Sequence, residues 1–260
     1  MDGKKRLNRE KEFHNEAFAT NKRKKVKKYY KTTDRSKAFY REKIHENVAG
    51  KRVLEYGCGP GSQAFSLAMS GAKVTAIDIS DVAIEQTKDE ADRQGVEIEC
   101  FVMDAENLTF EDASFDRVCG SGILHHLDLN QCYSELRRVL KPGGSGIFFE
   151  PMGYNPAINL YRKMTPSIRT DDEHPLLMED FDLAETYFDE VTPNFFHLTS
   201  IAASFIPFAS AHSVLAGPLN GLDSVLFKSL PFLKKYAWIA VIQLKKPRKN
   251  IQSNSISKKS

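Results

Sequence analysis

Val53-Leu54-Glu55-Tyr56-Gly57-Cys58-Gly59-Pro60-Gly61-Ser62 decides how this chain reads. Its first residues are apolar, as in a buried strand. Three glycines at alternate positions follow. Gln63-Ala64-Phe65-Ser66-Leu67-Ala68 then reads as a helix. Strand, glycine turn and helix make the first unit of a doubly wound sheet, whose ligands lie outside the strand carboxyl ends. Glycine suits such a turn because the backbone must bend sharply and let a ligand approach without a Cβ in the way.

Working outward, the alternation is regular. The pattern predicts strands at 52–56, 72–78, 96–103, 115–120 and 145–150. Helices are expected at about 61–70, from a Ser80 cap to Gln94, and at 130–140, where Lys141-Pro142-Gly143-Gly144 ends the last one. Strands separated by helices imply parallel β-α-β units. After Glu150 the pattern breaks at Pro151, Pro156, Pro166 and Pro175, which suggests an ordered lid. A helix near 179–187, a strand near 189–197 and a last strand at 237–244 complete the expected architecture. It is an α/β, doubly wound, mostly parallel seven-stranded sheet. The expected division is a basic helical arm over 1–50 and one domain over 51–245, with insertions at 151–178 and 198–235. A basic, disordered tail is expected over 246–260.

At 260 residues the chain supports one sizeable core with a lid. Its net charge of +3 conceals an asymmetry. Residues 1–51 hold 17 Lys and Arg against 7 Asp and Glu, and residues 245–260 hold six against none. The body between them has 14 basic and 27 acidic residues. An acidic body argues against nucleic acid at the mouth of the sheet, although Lys22–Lys28 alone could contact nucleic acid or acidic lipid. Cys58, Cys100, Cys119 and Cys132 form no C-x-x-C pair, and no His-rich metal spacing occurs, so no metal is expected. Free cysteines in apolar runs fit a reducing, cytoplasmic setting, and no apolar run near the start resembles a signal peptide.

A dinucleotide loop has the spacing G-x-G-x-x-G, which seats a pyrophosphate on a helix N-terminus. Here the spacing is G-x-G-x-G, and Glu55 stands two residues before it. That carboxylate would repel a pyrophosphate but suits a cationic ligand with an amino group. Asp78 closes the second strand, where an acidic side chain accepts from the ribose hydroxyls of an adenosine. Three further stretches complete the pattern: Val102-Met103-Asp104-Ala105-Glu106, Phe115-Asp116-Arg117-Val118-Cys119-Gly120-Ser121-Gly122-Ile123-Leu124-His125-His126-Leu127, and Leu136-Arg137-Arg138-Val139-Leu140-Lys141-Pro142-Gly143-Gly144. Together these motifs resemble the class I S-adenosylmethionine-dependent methyltransferases, and within them the small-molecule, type 11-like group. The resemblance implies S-adenosyl-L-methionine as cofactor. It would be held by Glu55, Gly57, Cys58, Gly59, Gly61, Asp78, Ile79, Asp104 and Ala105, with Gly120 and Ser121 under its methionine part.

Methyl transfer needs mainly the acceptor atom held about 3 Å from an already activated methyl carbon. An oxygen or protonated nitrogen acceptor also calls for a base. His125 and His126, after the fourth strand, are candidates, and so is His174, in Arg169-Thr170-Asp171-Asp172-Glu173-His174-Pro175. Glu150, Arg169 and His174 are the expected acceptor contacts. An apolar wall is expected from Phe195, Phe205, Ile206 and Phe208. The acceptor reads as a small, partly apolar molecule. Two other readings stand beside it: methylation of RNA or protein through the basic arm, and a non-catalytic cofactor-binding subunit. No Asn/Asp-Pro-Pro-aromatic motif follows the fourth strand. The uncharged run 198–222 is long enough to cross a bilayer, but Pro207, His212, Pro218 and Asn220 oppose that, leaving peripheral membrane contact open. The aromatics of the arm suggest that it packs over the cofactor mouth as a gate.

Overall fold

The computed structural model describes residues 2–20, 32–165, 170, 173–205 and 209–248. The basic run Lys22–Lys28, Arg169, and Ile206 and Phe208 of the expected apolar wall lie outside them, as does the tail from 249.

Seven strands form one sheet: β1 (Arg52–Tyr56), β2 (Lys73–Asp78), β3 (Ile98–Val102), β4 (Phe115–Ser121), β5 (Leu140–Pro151), β6 (Phe188–Phe196) and β7 (Ile239–Pro247). Their order is β3-β2-β1-β4-β5-β7-β6. β1 is parallel to β2 on one side and to β4 on the other. The chain direction across the sheet therefore reverses at β1, directly before Gly57, and such a switch point opens a crevice. β7 runs antiparallel to both β5 and β6.

The helices are α1 (Asp2–Ala19), α2 (Asp34–His45), α3 (Ala64–Met69), α4 (Asp81–Gln94), α5 (Leu129–Val139), α6 (Pro156–Met164), α7 (Met178–Glu185) and α8 (Ala209–Ser229). The period-two alternation of β1 sends Leu54 and Tyr56 into one apolar layer and Val53 into the other. α5 closes the first layer with Cys132, Tyr133, Leu136 and Val139, all fully buried at helical spacing. α2 closes the second with Tyr40 and Ile44, beside Val74, Ile147 and Val241.

Three local features differ from the sequence reading. Gly59–Gly61 make a 3-10 turn, so α3 starts only at Ala64. Lys141–Gly144 does not interrupt the chain before β5. The strand begins at Leu140, paired with Phe115, and the register shifts between Phe115 and Arg117. The proline-rich segment after Glu150 also hides a helix. Asn155 caps α6 through Ala157 and Ile158, and Pro156 takes the first turn, where a missing N–H costs nothing. Among the described residues, no helix is long and apolar enough to cross a membrane. The uncharged run instead forms a 3-10 turn, Ser200–Phe205, and the start of α8.

Candidate active site

A cavity of about 510 Å³ opens at the carboxyl ends of β1, β2 and β4. Glu55, Gly57, Cys58, Gly59, Asp78, Ile79, Asp104, Ala105 and Ser121 all line it. Gly120 is not among the lining residues, and the surroundings of Gly61 lie outside what is described. Gly120 has a packing role, since a Cβ there would stand 2.9 Å from the Tyr56 carbonyl oxygen and 2.8 Å from Ile123 Cγ2. Gly57 has φ +67°, and a Cβ on it would meet Ile123 Cδ1 at 2.8 Å, so both conformation and space demand glycine.

The two acidic groups nearest the loop also hold it together. Glu55 Oε1 accepts from Gln63 N at 2.7 Å, and Oε2 accepts from Ala64 N at 2.8 Å and from Ser62 Oγ at 2.5 Å. The carboxylate thus satisfies the orphan donors at the start of α3. Burial pushes its pKa up to about 7 against these hydrogen bonds. Asp78 Oδ2 accepts from Gly59 N at 2.8 Å, and Oδ1 from Ser80 N at 2.9 Å. Ser80 caps α4 by accepting from Ala83 N, as expected from the sequence. Asp104 accepts from Glu106 N at 2.9 Å.

The three expected histidines occupy different environments. His126 is buried and lines the cavity. His125 is turned away from it, with Nδ1 2.8 Å from Glu150 Oε2. Burial lowers the His125 pKa, reinforced by His126 and opposed by Glu150. Glu150 is fully buried, and its Oε1 accepts from Ile123 N and Leu124 N, both at 2.9 Å. His174 donates its backbone N–H to the His125 carbonyl oxygen at 2.7 Å, while its half-exposed ring stands 3.3 Å from Asp180. Neither Glu150 nor His174 lines the cavity.

Sequence reasoning did not single out the polar side chains that α1 contributes. Arg6, Leu7, Glu10, His14, Ala17 and Phe18 form a wall of the same cavity. Arg6 bonds the Glu106 carboxylate and the His126 carbonyl oxygen. Asn15 joins Ser80 Oγ at 2.5 Å and Asp81 at 2.8 Å. Phe18 comes within 3.5 Å of where a Cβ on Gly59 would lie. Glu10 is buried, with Oε2 3.3 Å from His126 Nδ1 and 3.3 Å from His14 Nε2. Burial alone would raise its pKa, but the two histidines outweigh that and hold it far below the usual carboxylate range, with Thr170 of the insertion adding to the effect.

A parallel sheet reversing at β1, a glycine loop behind it, and acidic residues closing β2 and following β3 are the features by which this chain resembles the class I S-adenosylmethionine-dependent methyltransferases. Residues 53–144 match the family described as a methyltransferase domain. The ubiquinone biosynthesis O-methyltransferase of Pseudomonas syringae pv. tomato is 34% identical over 117 residues, covering 44% of this chain and 50% of that protein. The enzyme of that name from Coxiella burnetii is 34% identical over 115 residues, covering 44% and 49%. This chain thus spans about half the length of the curated relatives it matches. Among solved structures, phosphoethanolamine N-methyltransferase 2 of Haemonchus contortus in complex with S-adenosyl-L-methionine shares the fold. Its TM-score is 0.58 at 17% identity, over 86% of this chain and 57% of that one.

Proposed function

We propose that this protein transfers the methyl group of S-adenosylmethionine to a hydroxyl of a small, partly apolar molecule. The observation that carries the reading is the cavity itself. Asp78 and Asp104, which line it, would take the adenosine, with Gly57, Gly59 and Ser121 beside the methionine part. The bound donor supplies an activated methyl group, and the chain's own task is to hold the acceptor in line with it. A volume of about 510 Å³ is within the range of small-molecule sites. α1 lies across it, which favours a small acceptor over a macromolecule. The names of the curated relatives support oxygen as the acceptor atom. His126 and Glu10 also line the cavity and would meet the acceptor's polar end.

Calorimetry with S-adenosylhomocysteine tests the donor site. A screen of lipid, quinol, sugar and polyketide extracts with labelled donor tests the acceptor class. No binding of S-adenosylhomocysteine, or label appearing only in RNA or protein, would overturn the reading. Exposed Leu222 and Val225 on α8 and Phe232 in the turn beyond it, near Lys228 and Lys234, support peripheral contact with a membrane carrying such an acceptor. Failure to sediment with anionic lipid vesicles would exclude that contact.

A further inference from the structure

Glu10, His14 and His126 gather two imidazoles around one buried carboxylate. The first two lie one turn apart on α1, and the third follows β4. One ligand atom from each can be chosen so that all lie within 4.8 Å of one another. Glu10 Oε2 is 3.3 Å from His14 Nε2 and 3.3 Å from His126 Nδ1. These spacings match the edge of a tetrahedron whose centre holds a metal at about 2.0–2.1 Å from nitrogen and oxygen ligands. Glu10 and His126 are more than nine-tenths buried. Glu10 Oε1 and Oε2 and His126 Nδ1 have no partner in hydrogen-bond geometry, and what Oε2 has is ion-pair contact with the two imidazoles. Buried polar atoms are ordinarily paired, so a carboxylate and an imidazole left facing each other indicate an atom to be held between them.

We infer that Glu10, His14 and His126 bind a divalent first-row transition ion of the Zn²⁺ type. Two imidazoles and one carboxylate suit such an ion. Three protein ligands leave the fourth tetrahedral position free, as in catalytic sites. All three residues border the cavity, so a fourth ligand can reach the ion from there. If the proposed function holds, the fourth ligand is the acceptor's oxygen, whose proton becomes easier to remove there. The ion would also join α1 to the turn after β4, making closure of the arm depend on metal.

Binding itself does not rest on the donor reading, and the test keeps the two apart. Untagged full-length protein, freed of metal with a chelator, is titrated with Co²⁺ in the absence of any methyl donor. The visible absorption and the stoichiometry are recorded. One Co²⁺ per chain is expected, displaced by Zn²⁺. Glu10→Gln and His14→Gln should each weaken binding by more than about 100-fold, beyond what loss of an outer-sphere partner costs. Circular dichroism and S-adenosylhomocysteine affinity, measured on the same variants, establish that they are folded. A wild-type protein that takes up no Co²⁺, or folded variants that bind it as the wild type does, would overturn the inference. Either result would leave the donor-site calorimetry untouched.

Discussion

Arg6 holds Glu106 through a single guanidinium nitrogen. Nη2 bonds both carboxylate oxygens, at 2.6 Å to Oε2, while Nη1 donates to the His126 carbonyl oxygen at 2.7 Å. Glu106 Oε1 in turn accepts from Asp128 N at 2.7 Å. One contact therefore joins α1, the loop after β3 and the turn after β4, all around the cavity. Arg6→Ala should remove about 1.5–3 kcal/mol of this docking, the range for hydrogen bonds to charged groups. If α1 gates the donor site, S-adenosylhomocysteine should leave the variant at least about tenfold faster, since 1.4 kcal/mol is a factor of ten. Stopped-flow displacement measures that rate, and an unchanged rate would exclude the gate.

Asp78 offers a second test. Each of its oxygens already anchors a backbone N–H, Gly59 on one side and Ser80 on the other. Asp78→Ala should thus weaken S-adenosylhomocysteine binding by about 1.5–3 kcal/mol, through the lost ribose contact and a loosened loop. Gly59→Val should abolish binding. Position 59 has φ +48°, and a branched side chain would project toward both the ligand space and Phe18. Calorimetry that finds the wild-type affinity in both variants would refute the donor site.

The parts of the fold legible in the sequence are those governed by local pattern. Apolar runs, the glycine spacing and the Ser80 cap were enough to place β1, β2 and α4, because short-range sterics and hydrogen bonding decide them. α6 was not legible, since the same prolines that break a helix interior are tolerated in a first turn. Nor was the role of Glu55 as anchor of α3, because a carboxylate serving backbone donors and one awaiting a ligand look alike in sequence. The contact of Glu10 and His14 with His126 joins segments far apart in the chain, and no spacing rule reaches across them. Docking of α1 creates it.

His197 makes folding stability depend on pH. It is fully buried at the end of β6, bonded to Ser36 Oγ at 2.8 Å and Ser200 Oγ at 3.1 Å. Burial lowers its pKa to about 4, with Asp223 opposing and Arg35 and Lys37 reinforcing the shift. Between the unfolded value of 6.5 and that lower one, the unfolded chain carries the extra proton. The contribution is therefore complete above about pH 6.5 and is lost as pH falls toward 4. Relative to His197→Asn, wild-type protein should lose about 2 kcal/mol between pH 7 and pH 5. Urea unfolding at both pH values checks this, and equal losses in the two proteins would exclude His197 as the source.

Glu150 lies beneath the turn that carries His126 into the cavity, and its substitution separates shape from charge. Its carboxylate takes two backbone N–H groups and the His125 imidazole, and none of it is exposed. Ile123, whose N–H it holds, packs where a Cβ on Gly57 would lie. The carboxylate thus supports both the glycine loop and the histidine turn. Glu150→Ala leaves three donors without their partner, and a loss of about 3–5 kcal/mol is expected, since each unsatisfied donor costs about 1–3 kcal/mol. Glu150→Gln keeps one oxygen for the two backbone donors. Its amide can face His125 once that ring presents its bare nitrogen, so about 1 kcal/mol is the expected loss, near the value of one ordinary hydrogen bond. Denaturant unfolding of the two variants measures the difference. Similar losses for Ala and Gln would show that the carboxylate is not what holds the turn.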